Sequence, residues 1–409
     1  MADVDYPYID DFSTDMVVDF LTASDAIFTD FTIEKIILGE SLLTPGLQTS
    51  IEVSSYVQSL PVKDIDTFKN SDVSITLTKP ILGVYGRPKS MEIVQKVYRV
   101  ENRRRINTNI EQFTIRACDA TMLNDAASTV SKSWKCTQPS EIVADILRTC
   151  AGARTLDIET ADPARDYIAE NIHPFQVVSQ QCNVSLANGN DPSFIHYMTY
   201  ENLGTHHFRS LYSLTRKSPI QKFTEYETGI VKAGMVDPSH VMSYQFPCDF
   251  DLLTDILNGV GPDGKDINSL IVFNPVNKMF SLTGDQTVGC GLGSGVVKMA
   301  QTNRNTAQQQ NSCNSDVEKY LLKRQARMSL IDRDKIALRM TVPFDPSLHV
   351  GEVVEFNLYN KQALAAGQFA KNYGSGRYLI MNMFHEVRRG GYAVTNMDCV
   401  SSTVGTGVV

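Results

Sequence analysis

The chain has 409 residues, enough for about two to four domains with ample core. Its 42% hydrophobic and 21% charged residues are the balance of a globular protein, which argues against a disordered or fibrous one. The formal net charge is −8 with no long basic stretch, so the concentrated positive face of a sequence-specific nucleic-acid binder is missing.

Residues 1–30 are acidic and aromatic, with eight Asp and no Lys or Arg. They read as an arm that either stays solvated or orders against a neighbour. The first basic residue is Lys35, so the positive start of a secretory signal is lacking, and the expectation is folding in a cytoplasm. From about 31 to 117 the pattern is strand-like: Val73-Ser74-Ile75-Thr76-Leu77-Thr78 alternates apolar and polar, and Met91–Val100 and Ile110–Ala117 behave alike. Pro45-Gly46, Gly86-Arg87-Pro88 and Asn107-Thr108-Asn109 supply turns.

A helix begins near Pro139, where a missing N–H costs little. It places Ile142, Val143, Ile146 and Leu147 on one face and stops at Gly152. A second short helix starts at Pro174 with Phe175 and Val178, and strands resume at Phe194–Tyr200 and His207–Leu214. Residues 236–300 look like an insert, with a helix capped by Asp249 whose apolar face is Leu252, Leu253, Ile256 and Leu257. Short strands at Leu270–Phe273 and Met279–Leu282 follow, then a polar loop from Gln301 to Asn314. Ser315-Asp316-Val317-Glu318 is a capping box for a charged helix to about Ser329. Lys335–Val342 alternates again and leads into residues 345–400.

No motif carries chemistry. Gly259-Val260-Gly261-Pro262-Asp263-Gly264-Lys265 has a phosphate-loop frame, but Asp266 stands where Ser or Thr would bind Mg²⁺. Gly289-Cys290-Gly291-Leu292-Gly293-Ser294-Gly295 contains no GxGxxG and reads as a loop. His206-His207 should point to opposite faces of a strand and cannot chelate one ion together. No HExxH, HxH or G-x-S-x-G occurs. The eight cysteines form no CxxC and are expected reduced and mostly buried. Arg103-Arg104-Arg105 reads as a solvated loop between strands, the alternative being contact with an acidic partner. No catalytic, cofactor-binding or metal-ligating residue is assigned, no cofactor is expected, and no apolar run is long enough to span a membrane.

Residues 345–400 read as a barrel-closing unit of turn, strand, long loop and glycine hairpin. Pro346, Leu348, Gly351, Val354, Gly376, Tyr378, His385, Tyr392 and Thr395 carry a resemblance. Ser131-Lys132-Ser133-Trp134 and the helices at Pro139 and Pro174 extend it. The chain resembles the central baseplate hub proteins of contractile-tailed bacteriophages, a family shared with the hub-like part of type VI secretion spike proteins. The resemblance implies a mainly β fold with some α (α+β): two similar antiparallel β-barrel tube domains, discontinuous in sequence, plus a small inserted α/β domain. On that reading 1–117 and 208–235 form the first barrel, 118–207 and 315–402 the second, 236–314 the insert with its flexible polar loop, and 403–409 a tail.

It further implies a non-enzymatic virion protein, assembled in the host cytoplasm. This would be a homotrimer joining the hexameric tail tube to the trimeric spike. DNA would be met only in transit through the channel. Tape-measure and baseplate wedge proteins are further partners on that reading. The alternatives are another β-rich tail-tip component and a tail-associated peptidoglycan hydrolase.

Overall fold

The computed structural model describes residues 15–21, 31–56, 69, 71–79, 89–225, 241–248, 251–257, 269–274, 279–284, 297–301, 320–331, 335–358, 374–390 and 392–401. The N-terminal part is a run of strands: β1 (Asp15–Leu21), β2 (Phe31–Ser41), β3 (Gln48–Tyr56), β4 (Asp72–Lys79), β5 (Lys89–Arg105) and β6 (Ile110–Cys118). The expected alternation in residues 73–78 is real: Val73, Ile75 and Leu77 are buried and their neighbours half-exposed.

A mixed region follows. Asp119 caps α1 (Ala120–Ala127) by accepting from Thr121 N at 2.8 Å. Next come β7 (Val130–Thr137), α2 (Pro139–Ile146), β8 (Thr155–Ile158), β9 (Arg165–Ile172), α3 (Pro174–Val184), β10 (Phe194–Thr199) and β11 (Thr205–Ser210). As expected, α2 opens on a proline; a π turn continues it to Gly152, whose φ of 74° closes it. The strand expected over His207–Leu214 stops at Ser210. There the Ser210 hydroxyl accepts from Ser213 N and starts the short helix α4 (Leu211–Thr215).

The remainder comprises β12 (Gln221–Thr224), β13 (Ser243–Gln245), α5 (Leu252–Leu257), β14 (Ser269–Asn274), β15 (Met279–Gly284), β16 (Val297–Gln301), α6 (Leu321–Met328), β17 (Leu338–Pro343), β18 (Val353–Asn357), β19 (Gly376–Arg388) and β20 (Ala393–Val400). On α5, Leu252 and Leu253 are exposed, so the expected buried face is not formed by them. The strand β16, pairing parallel with β14 while β15 pairs antiparallel, was not foreseen. Asp249, the capping box at 315–318 and the glycine-rich stretches at 259–265 and 289–295 lie outside the described residues.

The fold is mostly antiparallel sheet. One path runs β1-β4-β5-β6-β3-β2-β19-β20-β17-β13, and β18 adds to β19 with β12 parallel beside it. The junction is β19: its residues 382–388 pair with β2, while 376–379 pair with β18. The N-terminal and C-terminal strands therefore share one hydrogen-bonded sheet. Smaller sheets are β10-β11-β8, β15-β14-β16 and the ribbon β7-β9.

Three apolar cores sit against this frame. One is N-terminal (Ile36, Leu38, Ile51, Ile75, Ile115), one C-terminal (Phe356, Tyr378, Met381, Met397), and one lies between α2, α3 and the β10–β11 hairpin (Ile142, Val143, Val177, Phe208). The strand β10 is buried along its whole length because it serves all three. Phe194 joins the middle core, Ile195 and Tyr197 the C-terminal one, and Met198 with the following Tyr200 the N-terminal one.

Cys136 corrects the expectation of reduced thiols. It sits exposed at a bulge of the β7–β9 ribbon with φ of 52° and is disulfide-bonded, while Cys118, Cys150, Cys182, Cys248 and Cys399 are free. Its partner lies outside the described residues; such pairing depends on spatial approach, which spacing in sequence does not encode.

Candidate functional site

Where the three cores meet, the apolar packing gives way to charge. On β2 the inward positions are Ile36, Leu38 and then Glu40, because side chains alternate along a strand. The Glu40 carboxylate is thereby sealed at 0% exposure. It accepts from Tyr200 N at 2.7 Å, from Val350 N at 3.0 Å and from His349 Nδ1 at 3.0 Å. One donor from the middle of the chain and two from its C-terminal part thus converge on this N-terminal carboxylate. Burial alone would raise the Glu40 pKa, but His349 and the two backbone N–H groups outweigh it and hold the carboxyl below its ordinary value. Burial alone would depress His349; Glu40 overrides it and lifts the imidazole to about 9. The pair is therefore ionised, and its hydrogen bonds meet the condition under which a buried pair is tolerated.

The rim of this junction is also polar. His349 N donates to Glu352 Oε2 at 3.1 Å, and burial raises the Glu352 pKa. Lys217 donates to the Gly351 carbonyl at 3.2 Å, and burial lowers the Lys217 pKa. At Gly351, φ is 79° and a Cβ would lie 2.5 Å from Tyr197 Oη, so glycine is required twice over.

Next to it lies a second network with the connectivity of a nucleophilic triad. His207 Nε2 is 2.9 Å from Thr199 Oγ1, and His207 Nδ1 is 2.9 Å from Asp157 Oδ2. Arg209 donates to both oxygens of the same Asp157. The hydrogen bond from His207, joined by those of Arg209, drives the Asp157 pKa far down. Thr199, however, is only 1% exposed, and Tyr197 stacks on the His207 ring at 4.7 Å. The arrangement closes a core; it does not present a nucleophile to solvent.

His206, on the other face of β11 as expected, is 3.1 Å from His196 Nε2 and 3.1 Å from Thr121 Oγ1. Burial holds both imidazoles neutral, with His206 depressed to about 3. Among the described residues no group of three or more His, Cys, Asp or Glu could hold a metal ion, and no helix is long and apolar enough to cross a membrane.

No family model and no curated protein matches the chain. Solved structures do. A tail protein from Neisseria meningitidis MC58 superposes with a TM-score of 0.57 at 10% identity, over 95% of this chain and 97% of that one. A 43 kDa tail protein of prophage MuSo2 from Shewanella oneidensis gives 0.56 at 9% identity, over 95% and 98%. The chain has the fold of phage tail proteins. An E. coli type VI secretion component, described as structurally similar to the T4 tail proteins gp27 and gp5, aligns less closely, with a TM-score of 0.46 at 10% identity over 96% of this chain and 79% of that one.

The tail-protein fold explains what the resemblance positions do. Leu348, Val354, Tyr378, His385 and Thr395 are buried; Gly351 makes the turn. Tyr378 donates to the Gly374 carbonyl at 2.6 Å, and His385 Nδ1 is 2.8 Å from Thr395 Oγ1. Tyr392 alone is exposed, under the Arg388 guanidinium. His385 sits inside β19, which runs on to Arg388. Arg103 and Arg104 pair with Glu111 and Gln112 of their own hairpin, and Arg105 donates to the carbonyls of Asn107 and Thr108. Glu40, His349 and Asp157 were missed. The available signal was a carboxylate at the inward step of an Ile-x-Leu-x-Glu alternation.

Proposed function

We propose that the chain is the trimeric hub of a phage tail baseplate, joining a hexameric tail tube to a trimeric central spike and forming part of the DNA channel. The observation that supports this most is a tail-protein fold matched over nearly all of both chains, carried by one sheet that runs through both halves. The chain then works by assembly and not by catalysis, in the virion, after assembly in the host cytoplasm. Its partners are two further copies, the spike, the tube proteins and, further out, tape-measure and baseplate wedge proteins.

Two barrel-type domains fit this role, 1–117 with 208–235 and 118–207 with 315–402, around an inserted 236–314. The pairing of β12 with β18 favours moving residues 221–224 to the second domain. The separate core beneath α2 and α3 favours treating residues 130–208 as a body of its own.

The charge pattern supports a conduit. On the sheet face turned away from the cores, cations are matched by carboxylates: Lys35 and Arg388 with Glu386, Arg99 and Arg116 with Glu101, Arg339 with Asp398. Three copies at −8 each carry −24. Such a surface does not hold phosphates, so passing DNA would not stick. The hydrolase reading gains nothing from Thr199-His207-Asp157, whose hydroxyl is buried.

Light scattering after size exclusion, alone and with the spike, tests the proposal. The expected result is three times the chain mass, with a ring of pseudo-sixfold outline in electron micrographs. A monomer under both conditions would overturn it.

A further inference from the structure

The hairpin of β5 and β6 runs past its neighbour β4. The last pair between β4 and β5 is Asp72 with Lys96, and Val97 N then donates to the Ser71 carbonyl at 2.9 Å. Beyond that point β5 pairs only with β6 among the described residues, so its outer edge is an open row of backbone donors and acceptors. Residues 102–109 are all exposed. Tyr98 (45% exposed) and Ile106 (55%) place apolar surface on the same projection. Residues 98–116 hold five Arg against two Glu, a surplus of three positive charges in a chain of net −8.

That surplus is not settled inside the hairpin. Arg103 has Glu111, but Arg99 and Arg116 share the single Glu101. Among the described residues Arg104 reaches only Gln112 Oε1, at 2.8 Å, and Arg105 only the carbonyls of Asn107 and Thr108, at 3.0 and 2.6 Å. Exposed charges on a strand edge turn away most strands that could add there, and an acidic strand is the exception on an arginine edge. Residues 1–14 of this chain have that chemistry: Asp3, Asp5, Asp10 and Asp11 with Tyr6, Tyr8 and Phe12, and no cation. Their own hairpin is out of reach. Asp15 lies opposite Thr78, and Thr78 opposite Ser90, which is 14 residues along β5 from Arg104. That is about 46 Å at about 3.3 Å per residue. Asp10 and Asp11 are tethered within about 18 Å of Asp15, and Asp3 within about 43 Å even when fully stretched.

We propose that residues 1–14 of one copy dock on the β5–β6 hairpin of a second copy. The four aspartates meet Arg104, Arg105 and the Arg99–Arg116 pair, which has one carboxylate between two cations, through charge-assisted hydrogen bonds. The arm's aromatic side chains cover Tyr98 and Ile106, and its backbone adds along the open edge of β5. The acidic arm and the arginine run, which have no task in the fold of a single chain, thereby become one contact between copies. This docking goes beyond the hub reading and does not require three copies.

The full chain carrying Tyr8→p-benzoylphenylalanine is irradiated at micromolar concentration, and the products are separated on a denaturing gel and mapped by mass spectrometry. The expected result is a band at twice the chain mass, with the cross-link mapped to residues 98–116. The variant Arg104→Gln/Arg105→Gln changes two exposed side chains whose partners in the chain are uncharged, so it should fold normally and cut the doubled band about tenfold. Three results would overturn the proposal. One is cross-linking confined to the single-chain mass, as expected if Asp25 and Asp30, between β1 and β2, neutralise the hairpin within the chain. The others are a doubled band mapped elsewhere and a doubled band that the arginine variant leaves unchanged. Light scattering of the same sample keeps the two readings apart: a trimer with no doubled band overturns only the docking, and a dimer with one overturns only the hub.

Discussion

Replacing Glu40 by Gln keeps the shape of the side chain and removes its charge. An amide has one acceptor oxygen, whereas the carboxylate serves Tyr200 N and His349 Nδ1 with Oε1 and Val350 N with Oε2. The new NH₂ group must therefore face a donor, and the His349 imidazolium loses its counter-charge. Two routes give the size of the loss. Raising His349 from 6.5 to about 9 corresponds to about 3 kcal/mol at about 1.4 kcal/mol per unit. Removing one partner of a buried ion pair costs about 3–5 kcal/mol. The expected destabilisation is thus about 3 kcal/mol at pH 6, read as a lowered urea midpoint. Hydrogen exchange gives a local reading: the Tyr200 and Val350 amides should lose about a hundredfold in protection.

The pH dependence has a definite sign. His349 is raised in the folded state, so its contribution is full below 6.5 and is lost as the pH rises through about 9. Glu40 is lowered, so its contribution is present above 4.5 and is lost as the pH falls through its depressed value. The gap between native and variant should be widest between 4.5 and 6.5 and should shrink toward pH 9.5. A gap under about 1 kcal/mol at pH 6, or one that widens from pH 7 to 9.5, would refute the account of this junction.

Gly351→Ala should cost about 2–4 kcal/mol, because the methyl meets Tyr197 Oη at 2.5 Å on a backbone with φ of 79°. Gly189→Ala, at φ of 73° with nothing within 4 Å, should cost only about 1 kcal/mol; equal urea midpoints for the two would remove the packing argument. His196, His206 and His385 are buried neutral, with His206 depressed to about 3 and His385 to about 4. Their stability is full above pH 6.5 and falls below it by about 1.4 kcal/mol per pH unit for each group, so urea midpoints that stay flat from pH 7 to 4.5 would contradict their burial. Asp145→Ala frees the Trp134 indole N–H, now bonded at 2.9 Å, and removes the Lys132 ion pair. Fluorescence of the single tryptophan should shift, with a stability loss below about 1 kcal/mol.

Local physics made much of the fold legible. Alternation marked Val73–Thr78, and prolines marked the starts of α2 and α3. It failed where a longer-range partner decided the outcome. The residues after Ser210 look strand-like but turn helical, because that hydroxyl caps the next turn. Leu252 and Leu253 have helical spacing yet are exposed, since spacing says nothing of what a face packs against. Cys136 finds a disulfide partner that spacing does not name.

By itself the sequence determined a β-rich chain with no chemical motif, and its last strands already resembled a tail hub. Those are properties of neighbouring residues, set by strand alternation, turn residues and side-chain type. Only the tertiary structure decided that β2 pairs with β19, which makes one sheet of the two ends of the chain. The same pairing brings Glu40 to His349, 309 positions apart, and to the amide after β10. No local rule can encode that meeting, because a buried carboxylate is stable only when donors from distant segments arrive together.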